Sequence, residues 1–94
     1  MKTLGNKPYK VEYLKDVVAI EIPALAKSAR ELIIRAINER LTIDPLSFGK
    51  PLRYNLQGYR SLRISKYRII YCIEVETHTV VIHAIHHRKD AYDD

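Results

Sequence analysis

The sequence is short of the residues that build several common kinds of site. It has one cysteine, Cys72, no tryptophan, and three glycines in 94 residues. A lone cysteine excludes an internal disulfide framework and fits a reducing cytoplasm; its apolar strand-like surroundings mark it as a small core residue. No stretch approaches the roughly 18 apolar residues of a spanning helix. The lysines of "MKTLGNKPYKVEY" are not followed by an apolar export segment, so a cytoplasmic protein without a membrane partner is expected. The few glycines form no phosphate-cradling loop, since "SFGKPL" lacks the P-loop pattern and "LQGY" reads as a turn. The most telling absence is of acid: after Asp44 none occurs until Glu74, while Lys50, Arg53, Arg60, Arg63, Lys66 and Arg68 fall in that interval.

What is present is ordinary globular material. With 47% hydrophobic and 29% charged residues the chain has the composition of a folded protein, and its length fits a single domain over residues 1–94. Its net charge of +5 and pI near 9.4 favour polyanionic partners.

Periodicity orders the elements. "YKVEYL" alternates as a half-buried strand does, and "KDVVAIEI" makes one or two helical turns stopped by Pro23. "SARELIIRAINERL" carries a capping box, with Ser28 at the N-cap and Glu31 three residues on; Ala29, Ile33, Ala36, Ile37 and Leu41 form its apolar face. "TIDPLSFGKP" ends that helix in an Asp-Pro turn and a loop. Then come "KPLRY", "YRSLRIS", "YRIIYCIEV" and "TVVIHAIHH", all strand-like. The expected fold is α+β, with an N-terminal strand and a helical hairpin packed on one face of an antiparallel sheet.

Two short turns set a register. If Ser65-Lys66 is a two-residue loop, Ile64 faces Tyr67, Leu62 faces Ile69 and Arg63 lies opposite Arg68. If Thr77-His78 is another, Val75 faces Val80, Ile73 faces Ile82, Cys72 faces His83 and Arg68 lies opposite His87. One face then collects Leu62, Ile64, Tyr67, Ile69, Tyr71, Ile73, Val75, Val80, Ile82 and Ala84 for the helices. Arg63, Arg68 and His87 form a cationic row on the other. By parity Arg60 falls on the helix side or its rim.

Like charges directly opposed on neighbouring strands cost about 0.2–1 kcal/mol, which a bound phosphate would relieve through bidentate guanidinium contacts. Solvation of the row, or pairing with acids such as Glu12 or Glu31, is the ordinary alternative. The C-terminal "HHRKDAY" tips the balance, because it returns His87, Arg88 and Tyr92 to the same end of the sheet. Groups able to move protons there meet groups able to bind phosphate, the combination that RNA cleavage by the 2′-hydroxyl requires, with no metal or other cofactor. His83, His86 and His87 do not make a zinc site: strand alternation turns His86 away from the other two, and His83 and His87 lie about 13 Å apart at 3.3 Å per residue. His83 reads as a face-filling neighbour of Cys72, and His86 as a partly buried residue at the core edge. Tyr54, Tyr59 and Tyr67 stand beside basic residues and suit either base stacking or the core.

"GKPLRYNLQGYRSLRISKYRIIYCIE" followed by "VVIHAIHHRKDAY" resembles the RelE/ParE superfamily of type II toxin–antitoxin toxins over nearly the whole chain. The most specific pieces are "YRIIY" and "HRKDAY" at their mutual spacing. The resemblance implies a compact βααβββ toxin that, in its RelE branch, cleaves mRNA in the ribosomal A site and is silenced in complex with a cognate antitoxin. It implies that Arg68 contacts the scissile phosphate and that Arg63 and Arg88 occupy basic positions of the site. It further implies that Tyr92 assists proton transfer and that His87 stands where relatives carry His or Lys. Lys50, Arg53, Arg60, Lys66 and Lys89 would hold the RNA backbone. Ser61 departs from the lysine of well-known RelE toxins, leaving His87 or Tyr92 to act as base or acid. Two other functions share the fold, a ParE-like inhibitor of DNA gyrase and an RNA-binding homologue without activity.

Overall fold

Alternating runs at both ends of the chain and apolar helical spacing between them produce an α+β domain. The structure, a computed structural model, describes residues 7–87. Five strands, β1 (Lys10–Tyr13), β2 (Lys50–Pro51), β3 (Arg60–Ile64), β4 (Tyr67–Glu74) and β5 (Thr79–His87), form one sheet in the order β1-β5-β4-β3-β2. β2 to β5 pair antiparallel in chain order, whereas β1 lies parallel to β5, so the sheet is mixed.

The helical hairpin covers one face. Its first arm ends in a wide, π-type turn at Val17–Glu21, and its second is helix α1 (Lys27–Ala36), extended by a similar turn at Ile37–Leu41. Ile33, Ala36, Ile37 and Leu41 are buried as their spacing predicts, against Leu62, Ile64, Ile69, Tyr71, Val80, Ile82 and Ile85 of the sheet. Ser28 is not the N-cap. The helix begins two residues earlier, behind an extended Ala26 with no side-chain cap, and the Arg30 guanidinium donates to the Leu25 carbonyl at 3.3 Å. Among the described residues no helix is long and apolar enough to cross a membrane.

The first hairpin keeps its expected register: Ile64 faces Tyr67, Leu62 faces Ile69 and Arg63 faces Arg68, around a Ser65 at φ 55°. The second does not. Glu74 pairs with Thr79, so four residues, 75–78, make the turn, and Val75 is 81% exposed instead of in the core. Contacts with the N-terminal segment hold this wider turn. The Tyr9 ring stacks on His78 with centroids 3.7 Å apart, Nε2 of His78 lies 2.8 Å from the Lys7 carbonyl oxygen, and Lys10 donates its amide to the His78 carbonyl. Further along, a β-bulge separates the Tyr71–Ile82 and Ile70–Ala84 pairs and leaves His83 as the extra residue. An extra residue reverses the parity of everything beyond it. Ile85 therefore enters the core where Ala84 was expected, and Arg68 faces His86 instead of His87.

At the other end of the sheet the loop after α1 is fastened to the core. Pro45–Phe48 form a single helical turn, α2, capped by Asp44, whose side chain accepts from the Ser47 amide. The buried Tyr71 hydroxyl donates to the Pro45 carbonyl at 2.6 Å, and Nη2 of Arg60 donates to the carbonyls of Leu46 (2.7 Å) and Gly49 (2.9 Å). Burial pushes the Tyr71 phenol above its ordinary range, against the pull of the neighbouring Arg60 guanidinium. On the opposite edge, where β1 has ended, the Ile85 amide donates to the carboxylate of Glu21 at 2.7 Å.

Candidate nucleic-acid interface

Residues facing each other across antiparallel strands point to the same side of the sheet, so the observed pairs sort the charges. On the side away from the helices, Arg63 (β3), Arg68 (β4) and His86 (β5) form a transverse row, with Arg63 and His86 exposed and Arg68 half-buried. The next row is Lys50, Ser61, Ile70 and Ala84, one residue from each of β2 to β5. Lys66 lies exposed in the turn that joins β3 to β4, near the first row.

Several residues singled out from sequence are placed differently. His87 faces Tyr67 across the strands, with ring centroids 5.1 Å apart at 85°, so its imidazole packs on the helix side. His86, read from sequence as a core-edge residue, is the exposed imidazole opposite Arg68. The wider turn and the bulge together put His86 and not His87 opposite Arg68, and nothing in "HAIHH" announces either. Arg60 has its guanidinium turned to the 46–49 loop, with Nε buried and without a partner among the described residues. These bonds make Arg60 an anchor of that loop. Arg53 is exposed ahead of the 3-10 turn Tyr54–Leu56. Arg88, Lys89 and Tyr92 lie outside the described residues. Among the described residues no cluster of three or more His, Cys, Asp or Glu could hold a metal ion.

Arg60→Met should therefore act on stability. Losing two bonds from a charged donor to loop carbonyls is expected to cost about 2–3 kcal/mol. Arg63→Met, at an exposed position, should stay within about 0.5 kcal/mol. Urea unfolding of the two variants side by side is the check, and equal midpoints would remove Arg60 from the anchor.

A third row lies beyond Ile70. Nε2 of His83 is 3.3 Å from Sγ of Cys72, and the Tyr59 ring meets the His83 ring edge-on with centroids 4.8 Å apart. Burial, and then the Glu74 carboxylate, push the Cys72 thiol above its ordinary range, so it stays protonated in this contact.

Comparison with known proteins decides the family. A family model described as "ParE toxin of type II toxin-antitoxin system, parDE" matches residues 9–92. The chain belongs to the RelE/ParE superfamily of toxins. This toxin is 31% identical to Toxin RelE of Mycobacterium tuberculosis over 87 residues, covering 93% of this chain and 89% of that protein. It is 48% identical to Toxin RelG of the same organism over 52 residues, a match that spans 55% of this chain and 60% of RelG. The structure resembles a chain of the toxin–antitoxin complex RelBE2 from M. tuberculosis with a TM-score of 0.81 and 34% identity, covering 88% of this chain and 94% of that one. The isolated Escherichia coli RelE toxin has the same fold, with a TM-score of 0.72 at 16% identity over 88% of this chain and 87% of that one. The βααβββ order expected from the resemblance is that of the toxin, with the short β2 added at the sheet edge.

Proposed function

We propose that this toxin is a ribosome-dependent mRNA endoribonuclease that cleaves by attack of a 2′-hydroxyl on the adjacent phosphate. The observation that carries the reading is the row Arg63, Arg68 and His86, drawn from three strands onto the sheet face that the helices leave uncovered. In the reaction the 2′-hydroxyl loses its proton, its oxygen bonds to phosphorus, and the phosphorus–O5′ bond breaks as O5′ gains a proton. The products are a 2′,3′-cyclic phosphate and a 5′-hydroxyl. Negative charge builds on the phosphorane oxygens at the midpoint. Arg63 and Arg68 supply fixed positive charge and paired N–H donors for it, without needing a metal ion. His86, opposite Arg68, would carry a proton to or from that phosphate; Arg88 and Tyr92, expected from the sequence in the same site, lie outside the described residues.

His86→Gln is then expected to slow cleavage about 10²–10⁴-fold, the usual contribution of a general acid or base, while His87→Gln changes it far less. Single-turnover cleavage of a translated message measures both. A reversed order of effects would return the role to His87.

The partner that silences the toxin is an antitoxin. Relatives of the same fold were captured in such complexes, RelBE2 of M. tuberculosis and the archaeal RelE–RelB complex of Pyrococcus horikoshii. An antitoxin segment carrying acids suits the same basic face and would compete there with RNA. Because the matching family model is described as ParE, inhibition of DNA gyrase is the second reading. Primer extension on translated mRNA, run beside a gyrase supercoiling assay, tests both. Cuts within codons with supercoiling unaffected support the nuclease; blocked supercoiling with intact mRNA supports the other.

A further inference from the structure

We propose that the sheet face carries a nucleobase subsite next to the phosphate row, floored by Ile70 and Ala84 and walled by Tyr59 and His83. The proposal rests on the reading above that Arg63 and Arg68 bind an RNA phosphate.

A sheet face meant only for water alternates polar residues outward. This face does so only in part. Behind the cationic row it presents Ile70 and Ala84, directly paired and half-buried, then Cys72 with the buried Val81. The helices cannot account for these apolar residues, since the helices pack on the opposite face. An apolar strip joined to a row of fixed cations has the mixed chemistry of a nucleotide, with a flat apolar base attached to an anion.

The spacing fits that ligand. Two residues along a strand separate Arg68 from Ile70, and two more separate Ile70 from Cys72, so successive rows lie about 6.6 Å apart. A phosphate on the first row therefore leaves its ribose-linked base over the second. Lys50 closes that second row at the β2 edge and Ser61 adds a hydroxyl beside Ile70. The third row forms the far wall, and it is held in place. The His83 ring is fixed between the protonated Cys72 thiol at 3.3 Å and the Tyr59 ring at 4.8 Å. His83 reaches this face because it is the bulged residue, sharing the face with Ala84 where a regular strand would have turned one of them inward. A fixed imidazole and a hydroxyl can hydrogen-bond the edge of a base lying on Ile70 and Ala84, which would make the subsite a source of sequence preference.

The test compares ligands with and without a base on the full chain. Ribose 5-phosphate and the four nucleoside 5′-monophosphates are titrated at low salt, with amide shifts followed by NMR. At least one nucleotide is expected to bind about tenfold more tightly than ribose 5-phosphate, within the range of base–aromatic stacking, and to move the amides of Ile70, Cys72 and Ala84. Tyr59→Leu and His83→Gln should cut that advantage to about threefold or less and leave ribose 5-phosphate binding in place, whereas Arg68→Ala should weaken both ligands. Equal affinity for ribose 5-phosphate and every nucleotide overturns the subsite while sparing the phosphate row. Failure of all five to bind overturns both. The comparison on the unaltered protein needs no variant, so a variant that fails to fold does not protect the proposal.

Discussion

Arg68→Ala is expected to lower the rate of mRNA cleavage by about 10²–10³ and to abolish growth arrest. Loss of one fixed donor aimed at developing negative charge typically costs that much in kcat. Arg68 holds the middle of the row, with Arg63 opposite on one side and His86 on the other, so its guanidinium is the one that both neighbours can assist. Arg68→Lys separates two contributions. It keeps the charge but replaces the planar fork with a point donor, and it should recover part of the binding and little of the rate. The measurement is single-turnover cleavage on translating ribosomes, with circular dichroism to verify that both variants fold. Cleavage by Arg68→Ala within a factor of three of the parent would end the nuclease reading of this row.

Gly49→Ala should produce the largest loss of stability. A Cβ at this position would lie 1.9 Å from the Tyr71 hydroxyl oxygen and 2.7 Å from its Cζ. The backbone is not the reason, because Gly49 has φ −103° and ψ 167°, open to any residue. The cost is steric and falls on a side chain with no room to move, since Tyr71 is fully buried and tied to the Pro45 carbonyl. Overpacking costs about 1–3 kcal/mol, and a displaced buried hydroxyl about as much again. For a domain of this size each kcal/mol lowers Tm by about 4–8 °C, so a drop of well over 10 °C is expected in a thermal melt. Tyr71→Phe in the same chain should restore part of it by removing the nearest atom. A Gly49→Ala protein that melts like the parent would show that Tyr71 can leave its site cheaply.

The parts of this structure legible in the sequence are those where one pattern admits one answer. Between Leu62 and Ile69 apolar and basic residues alternate strictly around two turn residues, and a slip would bury arginine; that hairpin pairs as expected. "VVIHAIHH" offers no such constraint. Val80, Val81, Ile82, Ala84 and Ile85 are apolar in both parities, so a change of phase exposes no charge to the core and leaves no mark on the pattern. The wider turn before it depends on Tyr9 and Lys7, some seventy residues away in the chain. The exchange of His87 for His86 follows from those two facts. Arg60 was legible by parity as a rim residue, but its acceptors are carbonyls, which every residue carries and no sequence distinguishes. Ser28 shows a similar limit, because the helix starts directly after an extended Ala26, a backbone conformation that the residue type does not mark.

The bond from the Ile85 amide to Glu21 bears on how the toxin behaves at high concentration. β1 covers only the first part of β5, and the remainder of that edge would otherwise offer free backbone donors to another chain. A carboxylate occupies the place an incoming strand would need, and at the far border β2 is two residues long and includes Pro51. The stretch of β5 beyond β1 is thus a poor template for strand addition, and β2 is too short to be a good one. A second copy approaching along that stretch of β5 would meet a side-chain carboxylate in place of an open amide.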